Sequence, residues 1–481
     1  MDEAHVRVTH APAAAWRRWL AMPLSAPSAE ALAIALLCPV LLGPGLVNGA
    51  PFVFYDTGAY LVQGLGHVFM PERSAVYSLF LAAAGARYSL WLAAIVQCLV
   101  TAFLMTELAR ALRPRMPVWA LAATGVVLAA ITGLPWYVAQ IEPDCFAAAT
   151  VIGLYLLLFG GAELDAWRRL AVVVCTALSV AAHPSHLAVA AGLVLVVALT
   201  RLPPVRRILG AGFPRARLAA ASIGVAAAIA TIFACNYALS GGIFFSRSGA
   251  VFLMARMMED GLIKPVLDET CPVSGYRLCP YRNNLPARAD TFLWKTRQSP
   301  FEKLGGFNGL EAESAALVGQ SLARRPLENL GYALGNGLLQ FVWFQTGDGI
   351  VKQIWVSKRA FHRAIPQPAD RNGDDADWRE STLRFLPLNL IHIPVGFLSL
   401  AGLVILLRHA RRARSWAGGL LPAFILLALL GNAFVCGVFS APHGRYQSRV
   451  IWLSTFALVL AAWPRIEARI GEAANRRAAR G

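Results

Sequence analysis

The chain has 481 residues, of which 57% are hydrophobic and only 15% charged. That is more apolar surface than a soluble core of this length requires, so lipid must take the excess and a soluble fold is excluded. The net charge of +17 would suggest nucleic acid in a soluble protein, but in a membrane chain it is first assigned to the sidedness of the loops, and no nucleic-acid partner is expected.

Residues 1–30 form an amphipathic leader in which Trp16, Arg17, Arg18 and Trp19 read as an interfacial anchor. No cleavable signal is expected, because the first apolar run starts near residue 31 and Pro51 follows the only small-residue candidate site. Apolar runs follow at 31–48, 89–109, 117–134, 145–160, 169–182, 187–200, 218–240, 387–407, 416–438 and 450–463. They predict an all-α polytopic membrane protein with about ten transmembrane helices. Several runs are short. Each arm of the hairpin from Arg169 to Arg201 has about 16 residues, roughly 24 Å of helix against a hydrocarbon core of about 30 Å, so its turn from His183 to His186 should be recessed. Residues 74–86 predict a helix on the outer surface, before the second crossing.

Twenty-two arginines, among them Arg110, Arg113, Arg168, Arg217, Arg408 and Arg465, lie near one set of ends of these runs. The opposite short loops carry only Arg73, Arg87, Arg445 and Arg449. The first set is therefore read as cytoplasmic, with both chain termini. Residues 241–386 have 18 basic and 15 acidic residues, a mixed surface that predicts one extracytoplasmic, mainly helical domain, with an interfacial helix at 329–345. Residues 31–240 then form an N-terminal membrane module, 387–463 the C-terminal crossings and 464–481 a basic tail. Six cysteines fall in apolar runs. Only Cys271 and Cys279 are in polar sequence, where they form either a disulfide or two free thiols.

The outer short loops also hold four acids, Asp56, Glu72, Glu142 and Asp144, so paired opposite charge is expected to be concentrated at that face. An ionisable group beside the apolar phase is a functional candidate. Asp56 sits in Phe54-Tyr55-Asp56-Thr57-Gly58-Ala59-Tyr60. A carboxylate among aromatics there suits a general base, and the structural alternative is a helix N-cap. Asp144 would begin the helix that follows it, which leaves Glu142 as the more informative of that pair.

His183 and His186 read as a polar turn or a substrate contact before a metal site. Arg445 and Arg449, with His443 and Tyr446, suit phosphate oxygens, or else snorkel to headgroups. The acidic stretch Asp374-Asp375-Ala376-Asp377-Trp378 lacks the glycine and distal glutamate of a calcium loop and reads as solvated.

In this order the pieces resemble the GT-C superfamily of polytopic glycosyltransferases, especially protein mannosyltransferases and bacterial lipid A aminoarabinose transferases. The resemblance rests on Asp56 with Tyr60, Arg73 with Tyr77, the Glu142-Pro143-Asp144 element, the His183-Pro184-Ser185-His186 turn and the terminal Arg445-Tyr446 and Arg449. Neither the Trp-Trp-Asp motif of oligosaccharyltransferases nor the paired Asp-Glu of protein mannosyltransferases is present.

The resemblance implies a bacterial inner-membrane enzyme with its large loop periplasmic. It would move a sugar from a polyprenyl phosphate donor to a lipid or glycan acceptor with inversion. Asp56 would be the base, Glu142 would orient acceptor or sugar, and the two arginines would stabilise the departing phosphate. The remaining motif residues would line the substrate site, and no cofactor is implied, a divalent metal being optional. Two other readings stand beside it. One is a transporter or flippase for a lipid-linked or anionic substrate, although no internal repeat is visible. The other is a non-catalytic component of a polysaccharide assembly complex.

Overall fold

The structure is a computed structural model that describes residues 13–161, 164–210, 212–350, 359, 385–413 and 415–478. The acidic stretch at 374–378, Arg7, Arg414 and Arg480 lie outside the described residues. The N-terminal part runs through α1 (Ala13–Leu20), α2 (Ala29–Leu41), α3 (Gly43–Asn48), β1 (Phe52–Val53), α4 (Thr57–Gly66), α5 (Ala75–Ala83), α6 (Leu90–Leu112), α7 (Val118–Ile131) and α8 (Leu134–Val138). It continues with β2 (Gln140–Ile141), α9 (Cys145–Phe159), α10 (Ala166–Ala181), α11 (Pro184–Leu199), α12 (Pro203–Leu209) and α13 (Leu218–Ser240). Then come α14 (Gly249–Glu259), α15 (Ile263–Ser274), α16 (Ala289–Trp294), α17 (Gly306–Arg324), α18 (Pro326–Val342), α19 (Phe385–Arg412), α20 (Leu420–Phe439) and α21 (Gly444–Ala478).

Each of the ten apolar runs is helical. Five helices, α6, α13, α19, α20 and α21, are long and apolar enough to cross a membrane, and α11 with α12 makes a sixth if their 85° bend is counted within one span. The 23 residues of α6 give about 34 Å, enough for a core of about 30 Å. By contrast α2, α7 and α9 are shorter apolar helices. Polar residues mark the helix starts: the Ser89 side chain accepts from Trp91 N, and the Asp165 side chain accepts from Arg168 N.

The centre of the bundle is α9, whose residues from Cys145 to Leu158 are all buried. The outer helices show the reverse pattern. Only 22% of the apolar windows of α13 and α19 is covered by protein, and large side chains such as Ile223 and Leu398 face outward, as lipid-facing helices require.

The basic ends gather at one end of the bundle. Leu24 N donates to Met116 O, Arg217 N to Leu158 O, Arg113 Nε to Leu460 O and Trp416 Nε1 to Leu209 O. Opposite charges pair at this end too. Arg168 bridges Glu30, Glu107 and Asp165, and Arg110 pairs with Glu107, which is fully buried. These acids belong to helix ends, not loops, so a count of loop charges passes over them. Buried carboxylates of this kind persist only when paired.

Residues 251–318 form a second hydrophobic core around Met254, Ile263, Val266, Phe292, Leu310 and Leu317. Cys271 and Cys279 are joined as a disulfide, their Cα atoms 5.4 Å apart. The segment expected as an interfacial helix is α18. Its buried side carries Asn329, Gly337 and Gln340, and Leu327, Leu330 and Leu338 face outward. A Cβ on Gly437 would lie 2.6 Å from Asn336 O, so only glycine lets α20 approach α18 this closely.

Candidate functional site

The first outer loop and the loop before α9 are bound together by backbone. β1 pairs with β2 in parallel, Phe52 opposite Gln140 and Val53 opposite Ile141. Thr57 Oγ1 donates to Ile141 O at 2.9 Å, and the Gln97 amide of α6 holds Val138 O and Gln140 O at 2.8 and 2.6 Å. Asp56 and Glu142 are thereby fixed in the same region although 86 residues separate them in the chain.

Asp56 does precede α4, but its carboxylate makes no capping bond. It accepts from Arg73 Nη2 at 2.6 Å. The expected aromatic cage is therefore incomplete: Tyr55 is exposed, and it is Tyr60 that lies near the Arg73 guanidinium. Tyr77 is fully buried behind Tyr60, its ring 5.0 Å away and its hydroxyl donating to Gln97 Oε1. Its place is support for Tyr60, because no part of it faces the opening.

Asp144 also stands at a helix start without capping it. Its Oδ1 accepts from Arg449 Nη1 at 2.6 Å, and Arg445 Nη1 lies 3.5 Å from Asp144 and 3.6 Å from Glu142. Headgroup snorkelling does not describe these arginines. The Arg449 side chain is 0% exposed and reaches Ser185 Oγ and Asn432 Oδ1. Arg445 lies between the Phe54 and Tyr446 rings, 4.1 and 4.8 Å from their centroids.

The His183–His186 turn meets this cluster through Ser185, and of its residues only His186 is fully buried. His183 Nδ1 accepts from Ser185 N, and His186 Nδ1 donates to Ser179 O at 2.9 Å. Their rings are 5.4 Å apart. Among the described residues no group of three or more His, Cys, Asp or Glu is arranged to hold a metal ion. His443 lies 3.7 Å from both Asp290 and Asp348.

The two acids flanking Pro143 are pushed in opposite directions. Burial, joined by the Asp56 charge, lifts the Glu142 carboxyl well above the usual carboxylate range against the pull of Arg445. Burial also acts on Asp144, but Arg449 and Arg445 outweigh it and hold that carboxyl below its ordinary value. Side-chain exposure separates the acids too. Asp56 is 22% exposed, while Glu142 and Asp144 are 3% exposed each, so Asp56 is the carboxylate a ligand can reach.

Buried polar atoms without a hydrogen-bond partner concentrate here. Arg73 Nε, Glu142 Oε2, Asp144 Oδ2, His186 Nε2, Arg445 Nη1 and Arg449 Nε are all in this state. Buried polar groups are ordinarily satisfied, so such a cluster is arranged for something other than stability. A small recess of about 10 Å³ is lined by Thr132, Gly133, Phe344, His392, Ser448 and Trp452, and none of its lining residues is one of the three acids.

Sequence reasoning passed over Gln97, Asp348, Asn432, Asp290 and Trp294. A signal existed for Gln97 and Asn432, which are polar residues inside otherwise apolar runs. No protein-family model, curated protein or solved structure matches the chain.

Proposed function

We propose that the chain is a GT-C-like membrane glycosyltransferase that moves a sugar from a polyprenyl phosphate to a lipid or glycan acceptor outside the cytoplasm. The observation that carries this reading is the convergence of Asp56, Glu142 and Asp144 with Arg73, Arg445 and Arg449 from loops far apart in the chain. An open carboxylate beside guanidiniums with unused donors can accept one proton and stabilise one anion, the two demands of displacing a phosphate from a sugar.

In this reading the acceptor hydroxyl oxygen attacks the anomeric carbon from the face opposite the leaving group. The bond from that carbon to the phosphate oxygen breaks, and its electron pair leaves with the phosphate. Asp56 takes the hydroxyl proton, and Arg73 holds it in place. Arg445, whose side chain is 12% exposed and whose Nη1 has no hydrogen-bond partner, meets the departing phosphate. Arg449 is enclosed, so it acts from behind by fixing Asp144 and lending its charge. Glu142, whose neutral form burial favours, hydrogen-bonds the sugar or the acceptor.

The same reading sets the chain in a bacterial inner membrane with about ten crossings, the shorter apolar helices included. The end gathered around Arg113, Arg168 and Arg217 is then cytoplasmic, and the 241–386 domain with the acid–arginine cluster is periplasmic. The gathering of arginine-rich ends opposite that cluster supports the arrangement.

The test is transfer by the protein in nanodiscs, supplied with the lipid-linked sugars that copurify with it and are identified by mass spectrometry. Asp56→Asn keeps size and fold and should abolish product. Product at the wild-type level in that variant would remove Asp56 from the role of base.

A further inference from the structure

One short helix of the 241–350 segment reaches back to the site. The start of α16 is held by Ala289 N donating to Glu259 Oε2 at 2.9 Å, and Phe292 and Leu293 are buried in the second core. Two other α16 side chains meet the acid–arginine cluster. Asp290 Oδ2 lies 3.7 Å from His443 Nε2, and the Trp294 ring centroid lies 5.2 Å from the guanidinium carbon of Arg73, the partner of Asp56.

Trp294 is 42% exposed although it has aromatic neighbours, Phe252 at 6.2 Å and Phe307 at 5.8 Å between centroids. An indole kept for packing would be covered by such neighbours. This one is braced by them and left open beside the one carboxylate of the cluster that a ligand can reach. Aromatic faces so placed supply rigid apolar area at small entropic cost.

The guanidinium already at this ring disfavours a cationic ligand, and an indole offers a free phosphate no charge. What fits is a neutral ring with an apolar face, and the axial C–H face of a pyranose is such a surface. We propose that Trp294 is the stacking platform for the acceptor's sugar ring, so that α16 is the specificity element of the site and places the attacking hydroxyl over Asp56. This rests on the glycosyltransferase reading and adds that the acceptor carries a sugar at the position attacked.

The experiment is saturation-transfer NMR on the full chain in nanodiscs with the methyl pyranosides of glucose, galactose, mannose and arabinose, comparing wild type, Trp294→Ala and Trp294→Phe. At least one glycoside should take saturation on the C–H protons of one face. Its affinity should fall about three- to tenfold in Trp294→Ala, the worth of one ring contact, and be largely kept in Trp294→Phe. Equal binding by wild type and Trp294→Ala would overturn the proposal, as would wild type that binds none of the four. Neither result bears on transfer by wild type and Asp56→Asn, so the glycosyltransferase reading stands or falls separately. A Trp294→Phe variant that keeps the wild-type melting temperature and loses binding along with Trp294→Ala would also contradict stacking, since phenylalanine retains the aromatic face.

Discussion

Arg449 Nη1 lies 2.6 Å from Asp144 Oδ1 across 305 residues of chain, and both side chains are buried. The contact ties the start of the last helix to the start of the central one. Removing one member of a buried pair leaves the other charge unpaired and costs about 3–5 kcal/mol. Arg449→Met should therefore lower the thermal midpoint strongly, and the double variant Arg449→Met with Asp144→Asn should recover part of the loss. Additive losses would show that the two side chains do not interact.

Arg73→Met should reduce transfer without the loss of stability expected at Arg449, because Arg73 serves the carboxylate that remains partly open. Asp56→Asn should lower the transfer rate by about a hundred- to ten-thousandfold, the usual worth of a general base. Donor retention measured by mass spectrometry should be unchanged in Asp56→Asn and reduced in Arg445→Ala. Unchanged retention in Arg445→Ala would leave the leaving phosphate without its assigned partner.

Stability should respond to pH through Glu142. Its carboxyl is held above the ordinary range by burial and by Asp56, whereas an unfolded glutamate titrates near about 4.3. The folded state thus keeps a proton that the unfolded chain releases. The associated stability is complete below the unfolded value and is lost as pH rises through the raised one. Glu142→Gln should flatten the decline in melting temperature on the alkaline side. For Asp144, which Arg449 and Arg445 hold low, the stability is present above the unfolded value and is lost as pH falls, so Asp144→Asn should alter the acid side instead. The same alkaline decline in Glu142→Gln and wild type would contradict the assignment.

The Cys271–Cys279 bridge closes a loop with a sequence separation of 8, for which loss of the cross-link is worth about 2.5 kcal/mol. Replacing both cysteines with serine should destabilise the 251–318 core, with little effect on α6 or α9. Limited proteolysis should show faster cutting inside 251–318 and nowhere else.

Much of the helical plan was legible, because apolar runs of this length have few other outcomes. The start of α4 after Asp56 and of α9 after Asp144 could also be read from the residue types. The partners of those acids could not. Local sequence shows a carboxylate at a helix start as a cap, and only the fold reveals that Arg73 and Arg449 take the carboxylates instead. The Glu30, Glu107, Asp165 and Arg168 cluster was missed for a related reason. Each acid looks ordinary at its own helix end, and the pairing exists only because α2, α6 and α10 bring those ends together. Tyr77, which matches a motif, packs behind its neighbour Tyr60 with its hydroxyl on Gln97, a placement that local sequence does not show.

The central claim is that the acid–arginine cluster and the arginine-rich ends face opposite sides of the membrane. It is tested most directly by labelling single cysteines with an impermeant maleimide in intact cells, using a chain without its six free cysteines. Tyr55→Cys, next to Asp56, and Gln298→Cys, both exposed, should react at once, and Arg115→Cys and Arg412→Cys only after the membrane is opened. Labelling of Tyr55→Cys and Arg115→Cys from the same side would contradict the account.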